Sequence, residues 1–365
     1  MGNKCCKGDQ RVPDPPPAPI PNTPNYYQLD TLQGHEGKIT CIKELQNMNI
    51  ITGSNVGELK IWSLLKSQCE KTIKTEGQVL CLLEFEPNMI LLGKSTNIIE
   101  LYDINDISSP KKLFDFEGHE YWVTDLAKCD YQYFASVSND GNICIFDYIN
   151  RLCFSIISNN DINFQCIIRL SNGKLCTGDV DSSVKIWDYK NKICEKTYKG
   201  HTKTVKCLCE LNNGDIASGS EDTTIMIWKN NNEPPTVLTG HSKAVRYICN
   251  IKDYFIASAS FDCTVRIWNL NFKSCIQILN GHNNFVTGVI SHSNGQLISC
   301  SNLDKLKFIF SESISFSTIK SYPFNSFFIS VFFFLINSYI ALLACDILSN
   351  IKKNLLKCFN SFKFN

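Results

Sequence analysis

Residue types that can perform acid–base and nucleophilic chemistry occur twice in the same order and at the same spacing: His201, Ser218, Asp222 and His241, Ser258, Asp262. Histidine, serine and aspartate together are the residues of a serine hydrolase, in which the histidine takes a proton from the serine hydroxyl. Each member of the second set follows its counterpart in the first at one constant offset. Because a fixed interval is typical of repeat architecture, we interpret both sets as structural and predict no catalytic residues.

A Gly-His pair marks the repeat. It stands at Gly34-His35, Gly118-His119, Gly200-His201, Gly240-His241 and Gly281-His282. The last three pairs follow one another at a single period, and the two earlier intervals are double periods. An aromatic residue follows four of these histidines at one fixed offset, as Trp62, Phe146, Trp228 and Trp268, and degenerate copies ending at Tyr102 and Trp187 fill the gaps. The sequence therefore predicts seven units, starting near residues 34, 75, 118, 160, 200, 240 and 281.

Each unit consists of short apolar runs separated by turn residues. In the fifth unit we predict strands over residues 205–211, 216–220 and 224–228 and an outer strand over 236–238. Four strands in about 40 residues form one blade of a β-propeller. The segment 29–33 precedes the first Gly-His pair as an outer strand does, but no blade stands before it.

The Gly-His pairs, the aspartates six residues before Trp228 and Trp268, and the Trp187-Asp188 dipeptide resemble the WD-repeat (beta-transducin-like) family over about residues 26–310. The resemblance implies an all-β, seven-bladed propeller of WD repeats, closed by an N-terminal outer strand. On this basis segment 29–33 is expected to complete a final blade made of residues 286–290, 296–300 and 306–310. It also implies a hydrogen-bonded tetrad of histidine, hydroxyl, aspartate and tryptophan in each blade. Full tetrads are expected at His201, Ser218, Asp222, Trp228 and at His241, Ser258, Asp262, Trp268.

Other units depart from the family pattern. Val56 stands in the aspartate position of the first unit, Phe146 in the tryptophan position of the third, and Asn160 in the histidine position of the fourth. In the last unit Asp304 and Phe310 fit after a one-residue insertion. The second unit lacks the set, and we expect it to depend on apolar packing alone.

In the WD-repeat family, partners commonly dock over the narrow end of the central channel. The corresponding residues here are Lys38, Thr40, Trp122, Thr124, Thr204, Lys206, Glu221, Ala244, Arg246, Phe261, Phe285 and Thr287. Aromatic side chains beside Lys206 and Arg246 favour an acidic or phosphorylated peptide partner with an apolar anchor. The alternative for Trp122 is that it packs against its own blade.

Composition excludes several classes of function. The 36 basic and 35 acidic residues give no overall field that would attract nucleic acid. Most of the 19 cysteines stand singly in apolar runs, which indicates reduced thiols, and Cys207-x-Cys209 lacks the second pair of a zinc site. Gly93-Lys94-Ser95 lacks the glycine-rich cradle of a phosphate-binding loop. We predict no metal and no cofactor.

The N-terminal segment, residues 1–25, is different in character. Gly2 and the neighbouring Cys5 and Cys6 resemble an acylation signal, with myristate on the glycine and palmitate on the cysteines, although Cys6 stands where serine or threonine is preferred. The alternative is an ordinary disordered terminus. Six prolines between positions 13 and 21 favour an extended spacer over a ligand for a proline-binding module.

Residues 311–365 differ again, with no glycine, tryptophan or histidine. The stretch 321–345 carries no charge and is long enough to span a bilayer, but Lys352, Lys353 and Lys357 follow it, which opposes a simple tail anchor. A translated intron in place of the native ending and an apolar tail docked on the protein are the alternatives.

These observations favour a non-enzymatic scaffold or adaptor that binds other proteins or peptides, in the cytoplasm and, if acylated, on the cytosolic face of a membrane. One alternative is a G-protein β-like signalling subunit, which the proline run before Tyr26 disfavours because it forbids an N-terminal helix. The other is a propeller enzyme, for which the sequence offers no polar groups outside the tetrads.

Overall fold

The computed structural model describes residues 26–158, 162–231, 233–252, 254–302 and 305–311, and these contain strands and turns but no helix. The strands form seven four-stranded antiparallel sheets. The first three sheets built from consecutive strands are β2 (Ile39–Glu44), β3 (Ile50–Ser54), β4 (Glu58–Ser63), β5 (Gln68–Lys74); β6 (Val79–Glu86), β7 (Met89–Lys94), β8 (Ile99–Asp103), β9 (Lys111–Phe116); and β10 (Val123–Lys128), β11 (Tyr133–Ser138), β12 (Asn142–Asp147), β13 (Leu152–Ser158).

Three further sheets of consecutive strands follow. They are β14 (Phe164–Arg169), β15 (Leu175–Asp179), β16 (Ser183–Asp188), β17 (Ile193–Lys199); β18 (Val205–Glu210), β19 (Ile216–Ser220), β20 (Ile225–Trp228), β21 (Thr236–Leu238); and β22 (Val245–Lys252), β23 (Phe255–Ser260), β24 (Val265–Asn269), β25 (Ser274–Leu279). We number these six sheets as the first to sixth blades in chain order. The predicted all-β propeller is confirmed, and the four strands expected in the fifth unit form within two residues of the predicted bounds.

The two ends of the described chain meet in one further sheet, here called the composite sheet. It contains β26 (Val286–Ser291), β27 (Leu297–Ser301) and β28 (Lys305–Ser311), and the N-terminal strand β1 (Tyr26–Gln33) pairs antiparallel with β28. Thr287 Oγ1 donates a hydrogen bond to the carbonyl oxygen of Ile39, 2.8 Å away. The composite sheet therefore contacts the first blade directly, through two residues that lie far apart in sequence.

Cysteines fill the boundaries between blades. Cys207 on β18 packs against Gly219 of the same blade and Val245 of the next, and an added Cβ on Gly219 would stand 2.7 Å from the sulfur and 2.7 Å from a valine methyl. The same trio of residue types recurs as Cys41, Gly53, Val79; Cys81, Gly93, Val123; and Cys166, Gly178, Val205. Burial raises the pKa of Cys207 to about 12. These thiols therefore serve packing, and every cysteine in the described residues is free.

A methyl group added at this boundary has no room. We expect Gly219→Ala to lower the free energy of unfolding by about 1–3 kcal/mol, because overpacking a close-packed interior displaces its neighbours. Cys207→Ala combined with Gly219→Ala should recover part of the loss, since the contact with the sulfur is removed while the contact with Val245 remains. Urea denaturation of the three proteins tests this; a double variant no more stable than the single would contradict it.

Several predictions fall outside the described residues. They concern the acylation signal at Gly2, Cys5 and Cys6, the repeat positions assigned to Asn160 and Asp304, and the apolar stretch 321–345. The side chain of Phe310 also lies outside the described set. Within the part of the chain that is described, no helix is both long and apolar enough to cross a bilayer.

Candidate functional site

The first predicted tetrad forms a continuous hydrogen-bond chain in the fifth blade. His201 Nδ1 lies 2.8 Å from Asp222 Oδ2, and His201 Nε2 lies 2.7 Å from Ser218 Oγ. Trp228 Nε1 donates to the same Ser218 oxygen at 2.7 Å. Asp222 Oδ2 also accepts the backbone N–H of Thr202, which fixes the loop after the histidine. The chain thus ties the outer loop to the second and third strands of the blade.

The sixth blade repeats this geometry. His241 lies 2.7 Å from both Asp262 and Ser258, and Trp268 Nε1 donates to Ser258 Oγ at 2.8 Å. Because the Asp262 carboxylate can only accept, Nδ1 of the neutral His241 carries the ring proton and Nε2 accepts the proton of the Ser258 hydroxyl, whose oxygen in turn accepts the indole N–H. Both imidazole nitrogens are then satisfied in a buried position, as a buried polar group requires. The arrangement stabilises a blade and leaves the serine without the free access that a nucleophile needs.

The histidine pKa values predict acid sensitivity. Burial lowers the pKa of His35 to about 4 and also lowers the pKa of His201 and of His241. As the pH drops, these histidines bind protons in the unfolded chain before they do so in the folded protein. Their contribution to the free energy of unfolding is therefore fully present above pH 6.5 and is lost as the pH drops toward 4. For His35 alone we expect a loss of about 2 kcal/mol between pH 7 and pH 5.

Urea denaturation at a series of pH values measures this loss. The raised pKa of Asp125, about 6 because the carboxyl is buried, acts in the opposite direction but is one group against three. A free energy of unfolding that stays constant or rises between pH 7 and pH 5 would contradict the prediction.

The first blade has a carboxylate that the sequence analysis missed. Val56 does not take the aspartate role, because its side chain is 52% exposed. Glu58, two residues later, lies 3.1 Å from His35 Nδ1 and accepts the backbone N–H of Glu36 at 2.9 Å. Its longer side chain reaches back to the site that an aspartate would occupy. Trp62 and His35 then share the hydroxyl of Thr52 at 2.7 and 2.6 Å, which completes a tetrad.

The expectation that the second blade depends on apolar packing alone is wrong. Lys94 is 0% exposed, and its ammonium group donates to Thr75 Oγ1 and lies 3.3 Å from Glu100 Oε2. Lys112 donates to the other oxygen of Glu100 at 2.9 Å. A buried charge requires such partners. The signal was present in the sequence, since Lys94 is charged within an otherwise apolar strand.

The fourth blade uses a similar device. Lys185 forms a buried ion pair with Asp179, which also accepts a hydrogen bond from Ser183 Oγ at 3.2 Å. Trp187 Nε1 donates to Thr177 Oγ1 at 2.9 Å, so the tryptophan keeps its hydroxyl partner. Lysine–carboxylate pairs therefore take the place of the histidine–carboxylate pair in two blades.

The third blade and the composite sheet keep parts of the tetrad. His119 lies 2.8 Å from Asp140 and 2.6 Å from Ser136, while Phe146 has no N–H to offer. In the composite sheet His282 Nε2 lies 2.7 Å from Ser299 Oγ.

The predicted partner-binding residues separate into two groups. Successive antiparallel strands place the loops before each innermost strand at the same end as the turns between second and third strands; we call this end the loop face. Trp122 is 47% exposed there. Phe261 and Phe285 stack with ring centroids 4.8 Å apart, and Lys243 Nζ lies 5.1 Å from the Phe285 ring. The loop face therefore presents aromatic surface with cations beside it.

The second group lines the central channel, which encloses a cavity of about 160 Å³. The predicted residues in its lining are Thr40, Thr124, Lys206, Arg246 and Thr287. The threonine hydroxyls hold neighbouring sheets together: that of Thr124 donates to the carbonyl oxygen of Phe164 at 3.1 Å. Thr40 donates likewise to the carbonyl oxygen of Val79. These hydroxyls are already committed to the fold.

Two of the residues that line the channel, Lys206 and Arg246, are cations. Lys206 Nζ lies 3.0 Å from Glu221 Oε1 and donates to Gln165 Oε1 at 2.9 Å. Arg246 donates a hydrogen bond to the carbonyl oxygen of Lys206 at 3.3 Å. Lys38 is exposed, and its backbone N–H is held by Asn55. No group of three or more histidine, cysteine, aspartate or glutamate side chains in the described residues is placed to hold a metal ion.

Comparison with known families finds the WD domain, G-beta repeat, in four places: residues 110–147, 192–229, 232–269 and 273–307. The first three matches each begin at the outer strand of one blade, or just before it, and end with the third strand of the next, so the sequence repeat straddles two blades. This offset explains why an N-terminal strand precedes the first blade.

Three relatives are similar over part of the chain. They are the DENN domain and WD repeat-containing protein SCD1 of Arabidopsis thaliana (26% identical over 27% of this chain), the WD repeat-containing protein 89 homolog of Dictyostelium discoideum (28% over 34%) and Protein tipD of Dictyostelium discoideum (24% over 40%). The matched regions span 8%, 34% and 32% of those proteins' own lengths.

Proposed function

We propose that this chain, a WD-repeat protein, is a non-enzymatic platform that binds another protein over its loop face. The observation that carries the proposal is that the exposed Trp122 and the Phe261–Phe285 stack both lie on the loop face, while Arg246 lines the central channel. Aromatic and arginine side chains contribute most of the binding energy at protein interfaces. The serine, histidine and carboxylate groups that a serine hydrolase would need are hydrogen-bonded to one another inside the blades.

The chemistry of the loop face and of the channel lining favours an acidic or phosphorylated peptide. Arg246 offers a planar group whose N–H donors match a carboxylate or a phosphate. Lys243 adds a second cation beside the aromatic stack. An apolar side chain of the peptide, next to its acidic group, would pack against the exposed indole of Trp122. Because the indole is large and rigid, this contact would bury apolar surface with little loss of side-chain conformational entropy.

Quantitative affinity purification tests the proposal. We expect the double variant Trp122→Ala, Arg246→Ala to lose at least one partner about tenfold or more, as the removal of interface anchors does. The control is Leu65→Ala, Phe272→Ala, which removes exposed apolar side chains at the other end of the propeller. Equal partner profiles for wild type and both double variants would refute the proposal.

We propose further that the six blades and the composite sheet act as one closed seven-bladed ring. The pairing of β1 with β28 and the hydrogen bond from Thr287 to Ile39 support this. Closure removes both free sheet edges. Leu32 is buried in the core shared with the first blade, so Leu32→Asp should broaden or split a single unfolding transition. A single transition of wild-type midpoint would contradict closure.

We propose as well that the chain lies in the cytoplasm and is tethered to a membrane through Gly2, Cys5 and Cys6. The position of the glycine and the adjacent cysteines support this. Because one acyl chain binds weakly, both lipids would be needed for stable anchoring. Fractionation of Gly2→Ala beside wild type tests it: recovery of equal amounts in the membrane fraction would remove acylation as the anchor.

A further inference from the structure

The third blade brings two cysteine sulfurs to the same glycine. Cys144 on β12 has its sulfur 3.8 Å from the carbonyl oxygen of Gly118. Cys153 on the outer strand β13 has its sulfur 3.5 Å from the place where a Cβ on Gly118 would stand. The register pairs Phe146 with Cys153 across a bulge, which puts Cys144 diagonally across from Cys153. Both sulfurs therefore lie beside Gly118 on adjacent strands, where the two thiols interact with each other.

The substitution of tryptophan by Phe146 explains why they meet. Three other blades have a cysteine at the same bulge, opposite a tryptophan: Cys69 with Trp62, Cys194 with Trp187, and Cys275 with Trp268. In the sixth blade the atoms over the corresponding glycine belong to Trp268 and Arg266. In the third blade the smaller phenylalanine ring leaves room for Cys153, and Cys144 occupies the strand position that Arg266 holds in the sixth.

The two thiols differ in acidity. A hydrogen bond from the Cys144 thiol lowers the pKa of Cys153 to about 7 and raises the pKa of Cys144 itself. The Cys144 sulfur also lies 3.6 Å from His119 Nδ1. Cys153 is half-buried whereas Cys144 is buried. The more acidic thiol is thus the more accessible one, which is the arrangement of an attacking and a resolving cysteine.

We propose that Cys153 and Cys144 form a modification site, a dithiol that a hydroperoxide oxidises to a disulfide. The Cys153 thiolate attacks one oxygen of hydrogen peroxide, breaks the O–O bond and becomes a sulfenic acid, and the released hydroxide takes up a proton to leave as water. The Cys144 thiol then attacks the sulfenic sulfur and loses its proton, and a second water leaves. The peroxide is reduced, the two thiols are oxidised, and the bond ties β13 to β12.

Differential alkylation with peptide mapping tests the site in the full chain. At pH 7 we expect Cys153 to be alkylated about tenfold faster than Cys275, because rate follows the thiolate fraction, and burial raises the pKa of Cys275. Cys275 is the matched control, a cysteine at the same bulge of a blade that has its tryptophan. After treatment with hydrogen peroxide, the map should contain a Cys144–Cys153 disulfide in wild type and in Cys275→Ser.

The single variants separate the two roles. Cys144→Ser should stop at a sulfenic acid on Cys153 that a dimedone probe captures, and Cys153→Ser should leave Cys144 reduced. Circular dichroism establishes that each variant is folded. Equal alkylation rates for Cys153 and Cys275, or oxidation of Cys153 in wild type without a bond to Cys144, would overturn the proposal.

Discussion

Trp268→Ala should lower the free energy of unfolding by about 3–5 kcal/mol, the usual cost of removing a large aromatic side chain from a core. Trp268 is 1% exposed, and its indole N–H is held by Ser258. Its ring lies 5.8 Å from that of His241. The substitution therefore leaves a cavity and also removes the donor that orients the serine hydroxyl toward the histidine.

Trp122→Ala is the matched control, because it removes the same side chain from an exposed position on the loop face. Its effect on stability should stay within about 0.5 kcal/mol, as for most surface substitutions. Chemical denaturation of both variants gives the comparison. A loss for Trp268→Ala as small as that expected for Trp122→Ala would mean that the tetrad tryptophan is not part of the core. A large loss for Trp122→Ala would mean that this indole packs against its own blade.

Glu100→Ala should cost about 3–5 kcal/mol, since breaking a buried ion pair leaves an uncompensated charge. The stranded group is Lys94, which has 0% exposure. Burial already lowers the pKa of Lys94 even with Glu100 present. Without the carboxylate, the lysine must either give up its proton or open the blade to water.

The paired replacement Lys94→Met, Glu100→Leu distinguishes a lost charge partner from lost packing. We expect it to fall within about 1 kcal/mol of wild type or above it, because apolar residues of similar volume often replace buried ion pairs without loss. Thermal and urea denaturation measure the stability of Glu100→Ala and of the double variant. If the double variant is as unstable as Glu100→Ala, the second blade depends on the shape of Glu100 and not on its charge.

The sequence predicted the blades because their signals are local. A Gly-His pair, a turn aspartate and a tryptophan at fixed offsets lie within one period, and alternating apolar residues mark each strand. The pairing of β1 with β28 was also predictable, since a strand stood before the first repeat without a blade of its own.

The exceptions were not predictable in the same way because they depend on side-chain reach. Glu58 replaces an aspartate from two residues further on, and only the position of its carboxylate at His35 reveals this. Lys94 and Glu100 lie on neighbouring strands, and their contact depends on where their side chains reach. Cys153 meets Cys144 only because a phenylalanine is smaller than a tryptophan. Fixed-offset patterns do not encode such compensation between neighbours.

Site-specific photo-cross-linking tests the platform function most directly. A photoreactive phenylalanine analogue placed at Trp122 on the loop face is compared with the same analogue at Phe272, which is 59% exposed at the opposite end of the propeller. The proposed function predicts a protein adduct from position 122 that an Arg246→Ala background weakens, and no such adduct from position 272. Adducts from position 272 alone, or equal adducts from both positions that Arg246→Ala leaves unchanged, would contradict it.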